Sequence, residues 1–177
     1  MKTKIIAEAG VNHNGDLNTA FQLIEAAREC SADYIKFQTF KAIDVAINSA
    51  PQSDYQVKNT NLRESQLEML KKLELSESDF EQLYHHCKKV GIGFLSSGFC
   101  PRDLKFLNGF QMDFLKIPSG EVTNLLLLES ATKFGKNSKI ILSTGMCRLG
   151  EVEEAINVLL TGGINRDQII LLHCTTE

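Results

Sequence analysis

No stretch of this chain approaches the apolar length that a membrane span requires. The opening Met1-Lys2-Thr3-Lys4 runs into Glu8 after a few apolar residues, which argues against a secretory signal. A Cys-x-x-Cys pair is also missing. The five cysteines, Cys30, Cys87, Cys100, Cys147 and Cys174, are odd in number and scattered. That excludes a disulfide scaffold or structural zinc site, points to a reduced cytoplasm, and leaves the thiols as small core residues. There is no excess of positive charge: the formal net charge is -3 and the pI about 5.8. Nucleic acid is therefore not expected as a partner, and any bound anion must be held by local groups. No two His or carboxylate positions show a metal-ligand spacing.

What is present is a regular rhythm. At 177 residues and 43% hydrophobic, the chain suits one sizeable core. Strand-like runs at roughly 4–9, 33–39, 92–97, 113–118, 139–144 and 168–174 alternate with helical patterns. Leu17, Ala20, Phe21, Ile24 and Ala27 recur at helical spacing behind a capping Asp16. Ser76-x-x-Asp79 forms a capping box ahead of Phe80, Leu83, Tyr84 and Cys87. Val152, Ala155, Ile156 and Leu159 mark a last helix, which Gly162-Gly163 ends.

Strand, helix, strand repeated in this way predicts parallel pairing with right-handed crossovers. Six such strands suit either a doubly wound sheet or an incomplete barrel. The turn after the first strand, Gly10-Val11-Asn12-His13-Asn14-Gly15, lacks the G-x-G-x-x-G dinucleotide fingerprint. Polar residues stand at the C-terminal ends of nearly all strands: Glu8, Lys36 and Gln38, Ser97, Lys116, Ser143. Only a barrel gathers every strand end into one site. The expectation is an α/β fold, a (β/α)8 TIM barrel with about six βα units. A complete barrel takes about 250 residues, so the last two units are expected to be absent.

In Tyr34-Ile35-Lys36-Phe37-Gln38-Thr39, alternation sends Ile35 and Phe37 to one face and Lys36 and Gln38 to the other. The apolar face suits the outer helices, so Lys36 points into the barrel, where a charge needs a counter-ion. Phe114-Leu115-Lys116-Ile117 repeats the arrangement and continues into Pro118-Ser119-Gly120-Glu121. Two inward lysines facing one cavity suit a phosphate or carboxylate. Ser97, Ser119, Ser143 and Thr144 would add donors, and Gly120 and Gly145 would admit backbone amides. Glu8 and Glu121, at strand ends, are the candidates for proton transfer. Of the histidines, His13 lies in the loop after strand one, within reach of substrate. His85 and His86 sit on an outer helix, and His173 reads as a core residue. Residues 41–63 form a polar connection that is expected to lie over the catalytic face as a lid.

These motifs, read together, resemble one family. Ile6-Ala7-Glu8-Ala9-Gly10-Val11-Asn12-His13-Asn14-Gly15 is similar to the opening signature of the sialic acid synthases, which include N-acetylneuraminate and legionaminate synthases and a spore-coat polysaccharide protein. The likeness continues through Lys36-Phe37-Gln38-Thr39-Phe40, Lys58-Asn59-Thr60, Glu64-Ser65-Gln66-Leu67-Glu68-Met69, Lys116-Ile117-Pro118-Ser119-Gly120-Glu121, Leu142-Ser143-Thr144-Gly145-Met146 and Leu172-His173-Cys174-Thr175. Ser96-Ser97-Gly98-Phe99 departs from the family's usual Ser-Thr-Pro-Phe, keeping the hydroxyl and losing the proline.

The resemblance implies condensation of phosphoenolpyruvate with N-acetylmannosamine or a related amino sugar, giving a nine-carbon 2-keto acid and phosphate. It implies that Lys36, Ser97, Lys116, Ser119 and Ser143 hold phosphoenolpyruvate. Gln38, Asn59 and Glu121 would meet the sugar, with Glu8 and Glu121 catalytic. It further implies a divalent metal, Mn²⁺ or Mg²⁺, on histidines outside this chain. A C-terminal antifreeze-like domain, absent here, would complete a homodimer. On that reading the 177 residues alone are expected to be inactive. Two alternatives remain: a Schiff-base aldolase using Lys36 or Lys116, and an inert fragment that only binds an anion.

Overall fold

The computed structural model describes residues 3–52, 64–135 and 138–175. Six strands form one parallel sheet in strictly sequential order. They are β1 (Ile6–Gly10), β2 (Tyr34–Thr39), β3 (Gly93–Gly98), β4 (Phe114–Ile117), β5 (Lys139–Ser143) and β6 (Ile169–Leu172). A doubly wound sheet would reverse its order at a switch point. The unbroken sequence of neighbours is that of a barrel wall, so the fold is an incomplete (β/α) barrel.

Helices alternate with the strands: α1 (Leu17–Glu29), α2 (Ala42–Val45), α3 (Gln66–Lys72), α4 (Glu77–Val90), α5 (Pro101–Leu107), α6 (Leu125–Phe134) and α7 (Leu149–Thr161). The capping signals act where the sequence places them. Asp16 accepts a hydrogen bond from the Thr19 amide at 2.8 Å, and Ser76 and Asp79 form a reciprocal capping box. The core lies between the outward strand faces and these helices. Ile35, Phe37, Phe94, Leu115, Ile117, Ile140 and Leu142, all outward on their strands, belong to it with Ile24, Leu83, Leu127 and Leu159. Alternation therefore leaves Glu8, Lys36, Gln38 and Lys116 for the inner face. No helix among the described residues is long and apolar enough to cross a membrane.

Two details shape the face at the C-terminal ends of the strands. Register between β1 and β2 shifts after Glu8, where Gly10 takes φ +54° and the strand bulges. Gly15, at φ +76°, comes so close to α3 that a Cβ there would sit 2.2 Å from the Lys72 carbonyl oxygen. Only glycine lets the turn seat the end of α3. The connection after β2 carries the short helix α2, which sequence reading does not anticipate. The Ala42 amide donates to Glu74 at 2.7 Å, Asp44 pairs with Arg102, and Pro51 and Ser65 form an antiparallel bridge. Asn59, with its neighbours Lys58 and Thr60, lies outside the described residues.

Candidate active site

Cross-strand register assembles the inner face. Glu8 stands beside Lys36, and one layer higher Gln38, Ser97 and Lys116 stand side by side on β2, β3 and β4. Above them opens a cavity of about 550 Å³, lined among others by Glu8, Lys36, Gln38, Lys116, Ser119 and Ser143. Six of the nine residues singled out from sequence thus share one cavity. Ser97 is at the right layer but only 2% exposed and lies outside the lining.

The two lysines differ in their surroundings. Lys36 is neutralised: its Nζ contacts both Glu8 oxygens, at 2.8 and 2.6 Å. Lys116 is 6% exposed and donates to the Ile117 carbonyl at 2.8 Å. Among the described residues it has no ion-pair partner. Burial, reinforced by repulsion from Lys36, pulls its pKa down to about 8, and Cys174 and Glu8 offset this only in part. A buried cation without a carboxylate is costly unless something outside the chain supplies the negative charge. An anion in the cavity would supply that charge.

Cys174 marks where the donors converge. Burial pushes its thiol up, but the Gly145 and Thr144 amides, the Ser143 hydroxyl and the Lys116 charge outweigh that and leave it below the ordinary thiol value. The sulfur stands in a cradle of N–H and O–H groups suited to an oxyanion. Sequence reading assigns this cysteine to the core, yet it is half-buried and lines the cavity. Of the five, only Cys87 is fully buried, and Cys30 is exposed. An anion in the cavity is expected to slow alkylation of Cys174 by iodoacetamide several-fold while leaving Cys30 unaffected. Peptide mass spectrometry reads both rates, and equal slowing or none would place the thiol outside the anion's reach.

Glu121 belongs to a neighbouring cavity. A short turn, Ser119–Glu121, carries it past the end of β4, and the Asn124 amide donates to its carboxylate at 2.7 Å. Asn124 also caps α6, so helix and carboxylate share one anchor. Glu121 lines a side cavity of about 230 Å³ with Phe40, Val45, Gln66, Leu70 and Phe99, and Gln38 borders both cavities. Gln66 and these apolar walls are missed by sequence reading, because they come together only when α2 and α3 pack over the strand ends.

Two of the four histidines, His13 and His173, depart from expectation. His13 is 1% exposed, turned away from the cavity against Phe37 on the outer face, and accepts from the Gly15 amide at 3.0 Å. Burial lowers its pKa, opposed by Asp16. His173, expected in the core, is exposed, since it lies just past β6, where no described element covers it. His86 faces Glu25 at 2.7 Å on the outer helices. Among the described residues no three His, Cys, Asp or Glu side chains are grouped to hold a metal ion.

A family model described as the NeuB family matches residues 23–177. The chain is 53% identical over 176 residues to an N,N'-diacetyllegionaminic acid synthase of Campylobacter jejuni, covering 99% of this chain and 52% of that protein. It is 45% identical to an N,N'-diacetyllegionaminic acid synthase of Legionella pneumophila, covering 98% and 49%. It is 31% identical to an N-acetylneuraminate-9-phosphate synthase of Drosophila melanogaster, covering 98% and 45%. The chain therefore spans about half the length of these relatives. A solved N-acetylneuraminic acid synthetase from Leptospira borgpetersenii, in complex with citrate, superposes with a TM-score of 0.81 at 29% identity, covering 99% of this chain and 55% of that one. A truncated 3-deoxy-D-arabino-heptulosonate 7-phosphate synthase from Thermotoga maritima, at 15% identity and TM-score 0.64 over 95% of this chain and 50% of that one, shares the fold.

Proposed function

Because the chain belongs to the NeuB family, we propose that this protein, at the full length of its relatives, condenses phosphoenolpyruvate with an acetamido hexose to give a nine-carbon 2-keto acid and phosphate. The observation that carries this reading is Lys116, a buried cation with no ion-pair partner among the described residues, in a cavity it shares with Lys36. Citrate bound to the Leptospira relative supports a multiply charged anion as ligand. The two diacetyllegionaminic acid synthases support an acceptor with two acetamido groups.

In this scheme Lys116, Lys36, Ser119 and Ser143, with the Gly145 amide, hold the carboxylate and phosphate of phosphoenolpyruvate. Ser97 supports Lys116 from the next strand. Gln38, Glu121 and Asn59 orient the sugar. The enol C3 attacks the aldehyde carbon, whose oxygen takes a proton. Water adds at C2 and gives its proton to a carboxylate, Glu8 being the one on the lysine side of the cavity. The adduct then expels phosphate by breaking the carbon–oxygen bond, leaving the keto group. The divalent metal that the resemblance implies would polarise the aldehyde from residues outside this chain. The steps supplied by this chain's side chains are anion binding, orientation and proton movement.

A second reading has one specific observation behind it. A lysine with a pKa near 8 beside another cation is also how a Schiff-base aldolase prepares its nucleophile. Phosphate release that needs both phosphoenolpyruvate and sugar, with no borohydride-trapped pyruvate on Lys36 or Lys116, supports the synthase. A trapped adduct on either lysine would overturn it. Residues 1–177 expressed alone are expected to show no turnover in the same assay. Among the described strands β1 and β6 pair on one side only, which leaves open edges.

A further inference from the structure

We infer that the side cavity receives the acetamido group of the acceptor that is remote from its aldehyde, and that Gln66 is the residue that recognises it. This rests on the condensation proposed above and adds a subsite and a specificity-determining residue to it.

The cavity of about 230 Å³ has two chemical characters. Phe40, Val45, Leu70 and Phe99 give it apolar walls, while Gln38, Gln66 and Glu121 supply its polar lining. An acetamido group has the same two characters, a methyl and an amide with one donor and one acceptor. A sugar hydroxyl in the same place would lose its water to apolar walls and offer nothing for them to pack against.

The hydrogen-bond inventory gives the second observation. Among the described residues, the Gln66 side-chain oxygen is buried and has no partner, and neither has the Gln52 side-chain nitrogen across the Pro51–Ser65 bridge. Gln52 itself is 8% exposed, and its oxygen accepts from the Glu64 amide at 3.2 Å. An uncompensated buried carbonyl is costly, so such a group suits a partner that arrives with a ligand. The terminal torsion of a glutamine is broad, so Gln66 can present its oxygen to an incoming N–H at little cost.

Position selects which acetamido group is read. Gln38 borders both cavities, so the sugar must pass it on the way from the lysines to the side cavity. A substituent one bond from the reacting carbon stays on the lysine side. A substituent three carbons along reaches past Gln38 towards Gln66.

The test compares a diacetamido hexose with N-acetylmannosamine in the full-length enzyme, by phosphate release at saturating phosphoenolpyruvate. Wild-type enzyme should prefer the diacetamido sugar in kcat/KM. Gln66→Met, close in length but without the amide, should shrink that preference about tenfold, the loss expected for a hydrogen bond at a buried partner. Val45→Ser, which removes apolar surface from the cavity wall at a partly exposed position, should shrink it in the same direction and guards against a folding artefact in the first variant. An unchanged preference in both variants, or a wild-type preference for N-acetylmannosamine, would overturn the subsite while leaving the condensation standing. No phosphate from wild-type enzyme with either sugar would overturn the condensation and the subsite with it.

Discussion

Lys116→Met is expected to make the empty protein more stable and the enzyme nearly blind to phosphoenolpyruvate. The folded lysine has a pKa of about 8 against an ordinary 10.5. A base whose pKa falls on folding binds fewer protons folded than unfolded between those values. Its charge therefore burdens the fold below pH 8, and the burden lifts as pH rises towards 10.5. At neutral pH that burden is about 3 kcal/mol by pKa linkage, so removing the charge should raise the urea midpoint by a readable fraction of it. Methionine refills the volume without a cavity. Meanwhile the KM for phosphoenolpyruvate should rise about 100-fold, the scale expected when a buried charge pair loses one member. In wild-type enzyme the same linkage predicts that affinity for the anion weakens as pH climbs through about 8 and the free lysine loses its proton. A variant that is destabilised and still binds phosphoenolpyruvate normally would contradict this account.

Glu8→Gln should act on the opposite parameter. Glu8 neutralises Lys36 through both carboxylate oxygens, so its amide leaves a second uncompensated cation at the floor of the cavity. Affinity for phosphoenolpyruvate should hold or improve. The proposed proton acceptor is lost, however, and kcat should fall by about 10²–10⁴, the range of general acid–base contributions. Steady-state kinetics separates the two effects. A rise in KM with kcat intact would reduce Glu8 to a binding residue.

Much of this arrangement is legible in the sequence because it depends on period-two alternation. Ile35 and Phe37 must meet the helices, which leaves Lys36 and Gln38 inward, and the same logic places Lys116. What sequence hides is whatever depends on turns and on helices packing across strand ends. His13 is buried because the Gly10 bulge and the turn ending at Gly15 swing it outward against Phe37. Cys174 meets its cradle because the turn after β5 presents the Thr144 and Gly145 amides to the end of the neighbouring strand. A strand-end position is the one signal available for Cys174, and reading all five cysteines alike as small core residues hides it. Gln66 gave no such signal. It opens α3, and only the packing of α2 and α3 over Gln38 and Glu121 makes it part of a cavity. Ser97 shows the converse. Alternation finds its layer, but the strands on either side cover it.

Phosphoenolpyruvate is the anion proposed for Lys116 and Lys36, undergoing condensation at C3 with phosphate leaving by carbon–oxygen cleavage. Phosphoenolpyruvate labelled with ¹⁸O at the bridging oxygen, turned over by the full-length enzyme with an acetamido hexose, tests it most directly. The account predicts that all of the label leaves in inorganic phosphate and that the new keto oxygen comes from water. Label retained in the keto acid, or exchanged into solvent without phosphate release, would contradict it.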